Sequence, residues 1–428
     1  MLDVEAIRER FPSLSRTGPD GRPLVLTDAP GGSQVPDTVI EAVAGHYRRG
    51  MSNTHGAFPT SEDTDGVIAE ARAAAADLTG ADPDEIVVGP NATTLLFHLS
   101  RSLAKTLGPG DDVVLTRLDH DANVRPWVLA AADAGATVRW VDVHDEDVTL
   151  DLDSFDAALS DRTKLMAFTL ASNAVGTIPA ASELVRRAKA VGAMVALDGV
   201  HFAQHRLLDL HGVGADVIAC SPYKFFGPHL GLLAARRSVL ETLTPYKLVP
   251  SSDEVPERWE TGTQNHEGLA GLAAAVDYLG GLGAGGTRRE RLASAYAAIA
   301  EHERDLARRF LEGIAELPGV RLWGIGDVDR LEERTPTFAI RVGSEHPRRT
   351  AEALAARGIA VWDGDYYARE VMTRLGLLET GGAVRIGFCH YHTEDEVDRV
   401  LEALAELDRE VTPASYRPAP RGAGFGSS

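Results

Sequence analysis

The run Ser221-Pro222-Tyr223-Lys224-Phe225-Phe226-Gly227-Pro228-His229 sets one lysine among aromatic rings, glycine and proline. It follows an apolar stretch, 215–220, that reads as a strand. Lys105, Lys164, Lys189, Lys224 and Lys247 are all the lysines of the chain, and arginine supplies its other cations. A guanidinium stays protonated, whereas a lysine in a dry setting releases its proton and becomes a nucleophile that can form a Schiff base. Lys224 is therefore read as a reactive amine; the plain alternative is a strand-end lysine without chemistry. Asp198 ends a second apolar run and stands 26 positions before Lys224 (224 − 198). A carboxylate in that setting needs a partner, and a protonated ring nitrogen is one. Asn91-Ala92-Thr93-Thr94 follows a third run and opens a helical pattern. Its hydroxyls and free amides can take an anion, although helix capping explains the same residues without a ligand. Anion cradle, buried carboxylate and Schiff-base lysine are the three things that pyridoxal 5'-phosphate (PLP) requires.

Groups of this kind sit beyond the carboxyl ends of strands in an open α/β sheet, so such a sheet must lie beneath them. Short apolar or β-branched runs at 85–88, 112–116, 138–141, 165–170, 194–198, 217–220 and 230–234 fit one. Helical patterns at 93–107 and 182–191 lie between them, stopped by Gly108-Pro109-Gly110 and by Gly192. A glycine-rich break at 278–286 precedes a long amphipathic pattern, 288–317, and runs at 320–322 and 338–341 suggest a smaller α/β unit. Gly280-Gly281-Leu282-Gly283 follows no strand and reads as linker, not as a nucleotide loop. The expected organisation is an N-terminal segment, 1–24, packed on the small domain, then a large cofactor domain, 25–284. A small domain, 285–412, and a fraying tail, 413–428, complete it.

Bulk properties narrow the partners. The 428 residues carry a net charge of -20, which argues against a nucleic-acid backbone as ligand. Cys220 and Cys389 cannot make a disulfide framework, as expected of a reducing cytoplasm. The first residues lack a basic and apolar leader, and no apolar run is long enough for a bilayer. The expectation is a cytoplasmic protein with a small-molecule substrate and neither nucleic acid nor membrane as partner.

With these motifs in order, the chain resembles class V aminotransferases of the fold-type-I PLP enzymes, and within them the cysteine desulfurase-like branch. The resemblance covers about residues 28–407. It implies a large domain with a mostly parallel seven-stranded sheet flanked by helices, plus a smaller α/β C-terminal domain. Asp28-Ala29-Pro30-Gly31-Gly32 resembles the substrate loop and Asn53-Thr54-His55 the active-site segment after it, so Gly31 and His55 are implied substrate contacts. Asn91, Ala92, Thr93 and Thr94 match the phosphate loop, and Asn173 in Ser172-Asn173-Ala174-Val175-Gly176-Thr177 the contact to the cofactor's phenolic oxygen. Asp198-Gly199-Val200-His201 matches Asp-Gly-Ala-Gln, with His201 for Gln, and Ser221-Pro222-Tyr223-Lys224 matches Ser-Gly-His-Lys, with Tyr223 for His. Lys224, Asp198 and His201 are thereby implied as catalytic, and Ser221 and Tyr223 as cofactor contacts. Thr263 resembles the threonine that reaches the partner subunit's phosphate, implying a homodimer, and Arg385 the clamp for a substrate carboxylate.

Two departures shape the reaction expected. Desulfurases carry a nucleophilic cysteine on a loop where this chain has Gly364-Asp365-Tyr366-Tyr367-Ala368, with Tyr367 at the cysteine position. Asp121 in Asp119-His120-Asp121-Ala122-Asn123 replaces the histidine that stacks on the cofactor, leaving open whether Asp121 contacts the ring or His120 shifts to stack. Without a loop cysteine, chemistry falls to cofactor and lysine. β-Elimination with C–S cleavage of an S-substituted cysteine is the favoured reading. Transamination, epimerisation and decarboxylation with deamination are the alternatives, and Tyr366 or Tyr367 would orient the leaving group. A rival reading makes Asp198, His201 and His205, or Cys389, His390 and His392, the ligands of a metal hydrolase. A third keeps the fold without catalysis.

Overall fold

A computed structural model of the chain describes residues 2–411. The stretch expected to fray, 413–428, lies outside the described residues. Seven strands form the main sheet: β1 (Ile86–Gly89), β2 (Asp112–Thr116), β3 (Thr137–Val141), β4 (Thr163–Thr169), β5 (Met194–Asp198), β6 (Val217–Cys220) and β7 (Gly231–Ala235). Their order is β1-β7-β6-β5-β4-β2-β3, with β7 antiparallel to both neighbours and the other six running one way. The sheet is mostly parallel, as expected. Val113, Val114, Leu115, Val195, Ala196 and Leu197 are all buried, so both faces are covered and the strands read as continuous apolar runs. The register pairs Thr169 with Asp198 and Asp198 with Ala219, which brings the carboxyl ends of β4, β5 and β6 to one level.

A capping box, Thr287 with Glu290, starts the long helix Arg288–Ala315. That helix leads to a second, antiparallel sheet of β8 (Val320–Trp323), β9 (Thr337–Val342), β10 (Trp362–Gly364) and β11 (Ala383–Gly387), ordered β10-β11-β9-β8. β10 and β11 escape the sequence reading because one has three residues and the other carries Arg385 at its centre.

The N-terminal stretch ties the parts together. Arg8 bonds the Glu396 carboxylate at 2.9 Å and the Tyr391 carbonyl at 2.7 Å, while Phe11 packs against Phe226, Tyr278 and Tyr391. Isolated bridges tie Val25 to Ile359 and Asp28 to Gly387 at the end of β11. Among the described residues no helix is long and apolar enough to cross a membrane.

Candidate active site

Lys224 closes a 3-10 turn, Pro222–Lys224, directly after β6. The loop expected to meet the substrate holds that turn down: the Ser33 amide donates to the Tyr223 carbonyl at 3.0 Å, and the Phe226 amide to the Ser33 hydroxyl at 2.7 Å. The Lys224 amine itself donates to the Pro30 carbonyl. Burial first, and the Arg385 cation second, push this amine down to about 7, against the pull of Asp198 and Asp28. Near neutral pH a large share of it is unprotonated. Asp198, at the end of β5, accepts from the Val200 amide at 2.8 Å, and burial pushes its carboxyl up to about 6 despite Lys224. Both groups face an inner chamber of about 90 Å³, together with Ser221, Tyr223, Asn173 and His201.

The anion end of that chamber is the start of helix Ala92–Ala104. Gly231 brings it close: a β-carbon there would collide with the Asn91 carbonyl group, so β7 can only pass beneath as glycine. The Asn91 carboxamide oxygen accepts from the Thr94 amide at 2.8 Å, so this side chain caps the helix, the plain role it was weighed against. Ala92 and Thr93 line the chamber and Thr94 does not; it faces a separate depression beside His98 and Trp259.

The inner chamber opens into an outer one of about 670 Å³, lined in part by Gly31, Arg125, Trp362 and Arg385. Arg385, central in β11, donates to the Asn173 carbonyl at 3.0 Å and lies 4.6 Å over the Tyr366 ring. Asn173 in turn donates to the Tyr366 carbonyl at 2.9 Å. Gly31 permits the indole of Trp362 to close on it, since a β-carbon there would meet the ring nitrogen at 2.8 Å.

His120, not Asp121, reaches the inner chamber. Its Nδ1 accepts from the Ala122 amide at 3.0 Å, and burial with the nearby Lys224 and Arg385 charges pushes it down to about 4, so it is neutral at pH 7. Asp121 stays in the outer chamber, paired with Arg125 at 3.2 Å. A network behind them sets this loop: the Asn123 side-chain Nδ2 donates to the Asp119 carboxylate at 2.8 Å and the Trp127 indole to Asn123 Oδ1 at 3.0 Å. Sequence reasoning missed it, although the i, i+4 spacing of 119, 123 and 127 is a visible signal.

Tyr366 and Tyr367 adopt left-handed backbone, φ 53° and 57°, a strained pair at the chamber mouth. The Tyr366 hydroxyl is spent on the Ala383 carbonyl, so it is not free to orient a leaving group. Tyr367 is 73 % exposed and stacks on His120 at 5.6 Å. His55 and Thr263 do not reach these chambers; both line another depression with Arg72 and Glu260. Cys220 and Cys389 are fully buried, line neither chamber, and burial raises both thiols well above their ordinary range. The two rival metal sets do not converge: His201 Nε2 lies between threonine hydroxyls, and His390 Nε2 is taken by the Tyr278 hydroxyl at 2.7 Å.

The aminotransferase class-V family model matches residues 25–400. The chain belongs to the class-V aminotransferase family. Members of this family depend on PLP, and this one is a PLP-dependent enzyme. It is 32% identical over 430 residues to a probable cysteine desulfurase of Streptomyces coelicolor, covering 95% of this chain and 97% of the relative. It is 35% identical to probable cysteine desulfurase 2 of Mycobacterium leprae, covering 96% and 98%. The solved apo cysteine desulfurase of Thermococcus onnurineus matches with a TM-score of 0.86 at 28% identity, covering 96% of this chain and 99% of that one. The residues present fit PLP. Asn173 Oδ1, His201 Nδ1 and Arg385 Nε are buried without partners around the two chambers. Each costs about 1–3 kcal/mol that a polar ligand would remove.

Proposed function

We propose that this enzyme cleaves the C–S bond of an S-substituted cysteine by β-elimination, without a protein persulfide. The reading rests on one observation: the inner chamber holds the Lys224 amine and the Asp198 carboxyl, while both thiols of the described residues are buried and line neither chamber. Tyr367 stands on the loop where the resemblance places the desulfurase cysteine. The cysteine desulfurase relatives support a cysteine-like substrate. Lys224 would hold the PLP aldehyde, Asp198 its ring nitrogen, the Ala92 and Thr93 amides its phosphate, and His120 would lie against its ring. PLP supplies an electron sink for a carbanion at Cα. Arg385 orients the substrate carboxylate, with Nε still free to donate. The Lys224 amine takes the Cα proton, which its lowered basicity suits near pH 7. The C–S electrons leave with sulfur, and substrate plus water gives a thiol, pyruvate and ammonia.

Turnover of S-ethylcysteine tests this. Pyruvate and ethanethiol in equal amounts support it; alanine with bound sulfur, or a keto acid that retains the thioether, overturns it. We further propose a homodimer, since His55 and Thr263 share a depression whose sequence neighbours Met51, Phe58, Leu248 and Val249 are exposed and apolar. Light scattering at twice the chain mass supports this, and a monomer mass overturns it.

A further inference from the structure

His201 is gripped from two sides. Its Nε2 lies 3.2 Å from the Thr335 hydroxyl and 3.0 Å from that of Thr337, both from the small-sheet region. The Thr335 hydroxyl also lies 3.4 Å from the Gly176 carbonyl. A hydrogen on Nε2 lets His201 donate to these hydroxyl oxygens and leaves the lone pair on Nδ1. Opposite, the ring of His205 meets His201 edge-on, centroids 4.8 Å apart and planes at 75°. His205 Nδ1 is 2.9 Å from Glu303 Oε2, with both side chains fully buried. Glu303 comes from the long helix Arg288–Ala315, and Arg206 approaches it only to 3.8 Å. A carboxylate oxygen accepts, so it holds a His205 hydrogen on Nδ1. His201 Nδ1, His205 Nε2 and Glu303 Oε1 are all buried without partners. A buried acid and histidine are a poor way to fasten a helix, because apolar residues of similar size do so without desolvation cost.

We propose that Glu303 and His205 are positioning residues: the Glu303 carboxylate fixes the tautomer and tilt of His205. That ring holds His201 at the inner wall with its Nδ1 lone pair open to a donor bound in the chamber. The effect on a ligand rests on the inner chamber being the PLP site. Nitrogen-15 histidine spectra of the cofactor-free wild type test the chain of contacts directly. Signals are assigned by loss in His201→Gln and His205→Gln. The proposal expects the Nδ1–H tautomer for His205 and the Nε2–H tautomer for His201; the Nε2–H tautomer for His205 overturns it, whether or not any variant folds. In Glu303→Gln the His201 signals should shift and PLP affinity should fall roughly tenfold, the scale seen when a group orienting a site histidine is lost. Unchanged His201 signals and unchanged affinity in that variant overturn the proposal. If wild type binds no PLP, the cofactor reading fails while the tautomers still decide the positioning.

Discussion

Replacing Lys224 with methionine removes the amine and keeps the length of the side chain. The structure lowers this amine from 10.5 to about 7, with burial as the leading cause. At about 1.4 kcal/mol per pH unit, that corresponds to roughly 4–5 kcal/mol. Between about pH 7 and pH 10.5 the unfolded chain still holds the Lys224 proton and the folded chain does not. Stability therefore rises with pH across this window, and the contribution is smallest at and below pH 7. Urea unfolding of cofactor-free protein reads it, because other titrating groups cancel in the difference between wild type and Lys224→Met. Wild type should gain roughly 4 kcal/mol on the variant between pH 7 and pH 10.5. A difference that stays flat over this range means an ordinary lysine, and the reasoning about a neutral nucleophile then fails.

Three further outcomes follow from the same geometry. Asp198→Asn should stabilise the cofactor-free protein above pH 6, because burial raises the native carboxyl from 3.8 to about 6. Wild-type stability from this group is present at low pH and lost as pH rises through about 6, by roughly 3 kcal/mol, while turnover of the loaded variant falls at least ~100-fold. Changing Cys220 and Cys389 together to alanine should leave turnover within about twofold, as small buried hydrophobes allow, and alkylating reagents should not inhibit the folded enzyme; inhibition tied to either thiol would restore a desulfurase mechanism. Tyr366→Phe loses the bond to the Ala383 carbonyl and should lower unfolding stability by about 1 kcal/mol, while product identity stays the same.

Residue type and burial decide what is legible in this sequence. β2 and β4–β6 read clearly because strands covered on both faces carry apolar centres, and Asp198 stands out as a buried carboxylate at the carboxyl end of one. Lys224 stands out because lysine is so rare in the chain. Residues on the loops are harder, since a side chain's direction there depends on φ and ψ that sequence does not display. Tyr366 points its hydroxyl at Ala383, not at the chamber, and His120 takes the inner wall where Asp121 was considered. Glu303 gives no signal at all, one acid among many on an amphipathic helix, until the fold turns it inward against His205. His55 and Thr263 lie apart from both chambers, so this chain by itself does not make the contacts expected of them.

In the proposed function Lys224 holds PLP in the inner chamber. Borohydride reduction of the PLP-loaded protein, followed by peptide mass analysis, measures this directly. The reduced pyridoxyl group is expected on the peptide containing Lys224, with no such adduct in Lys224→Ala. An adduct on Lys105, Lys164, Lys189 or Lys247 instead, or none on any lysine, would contradict it.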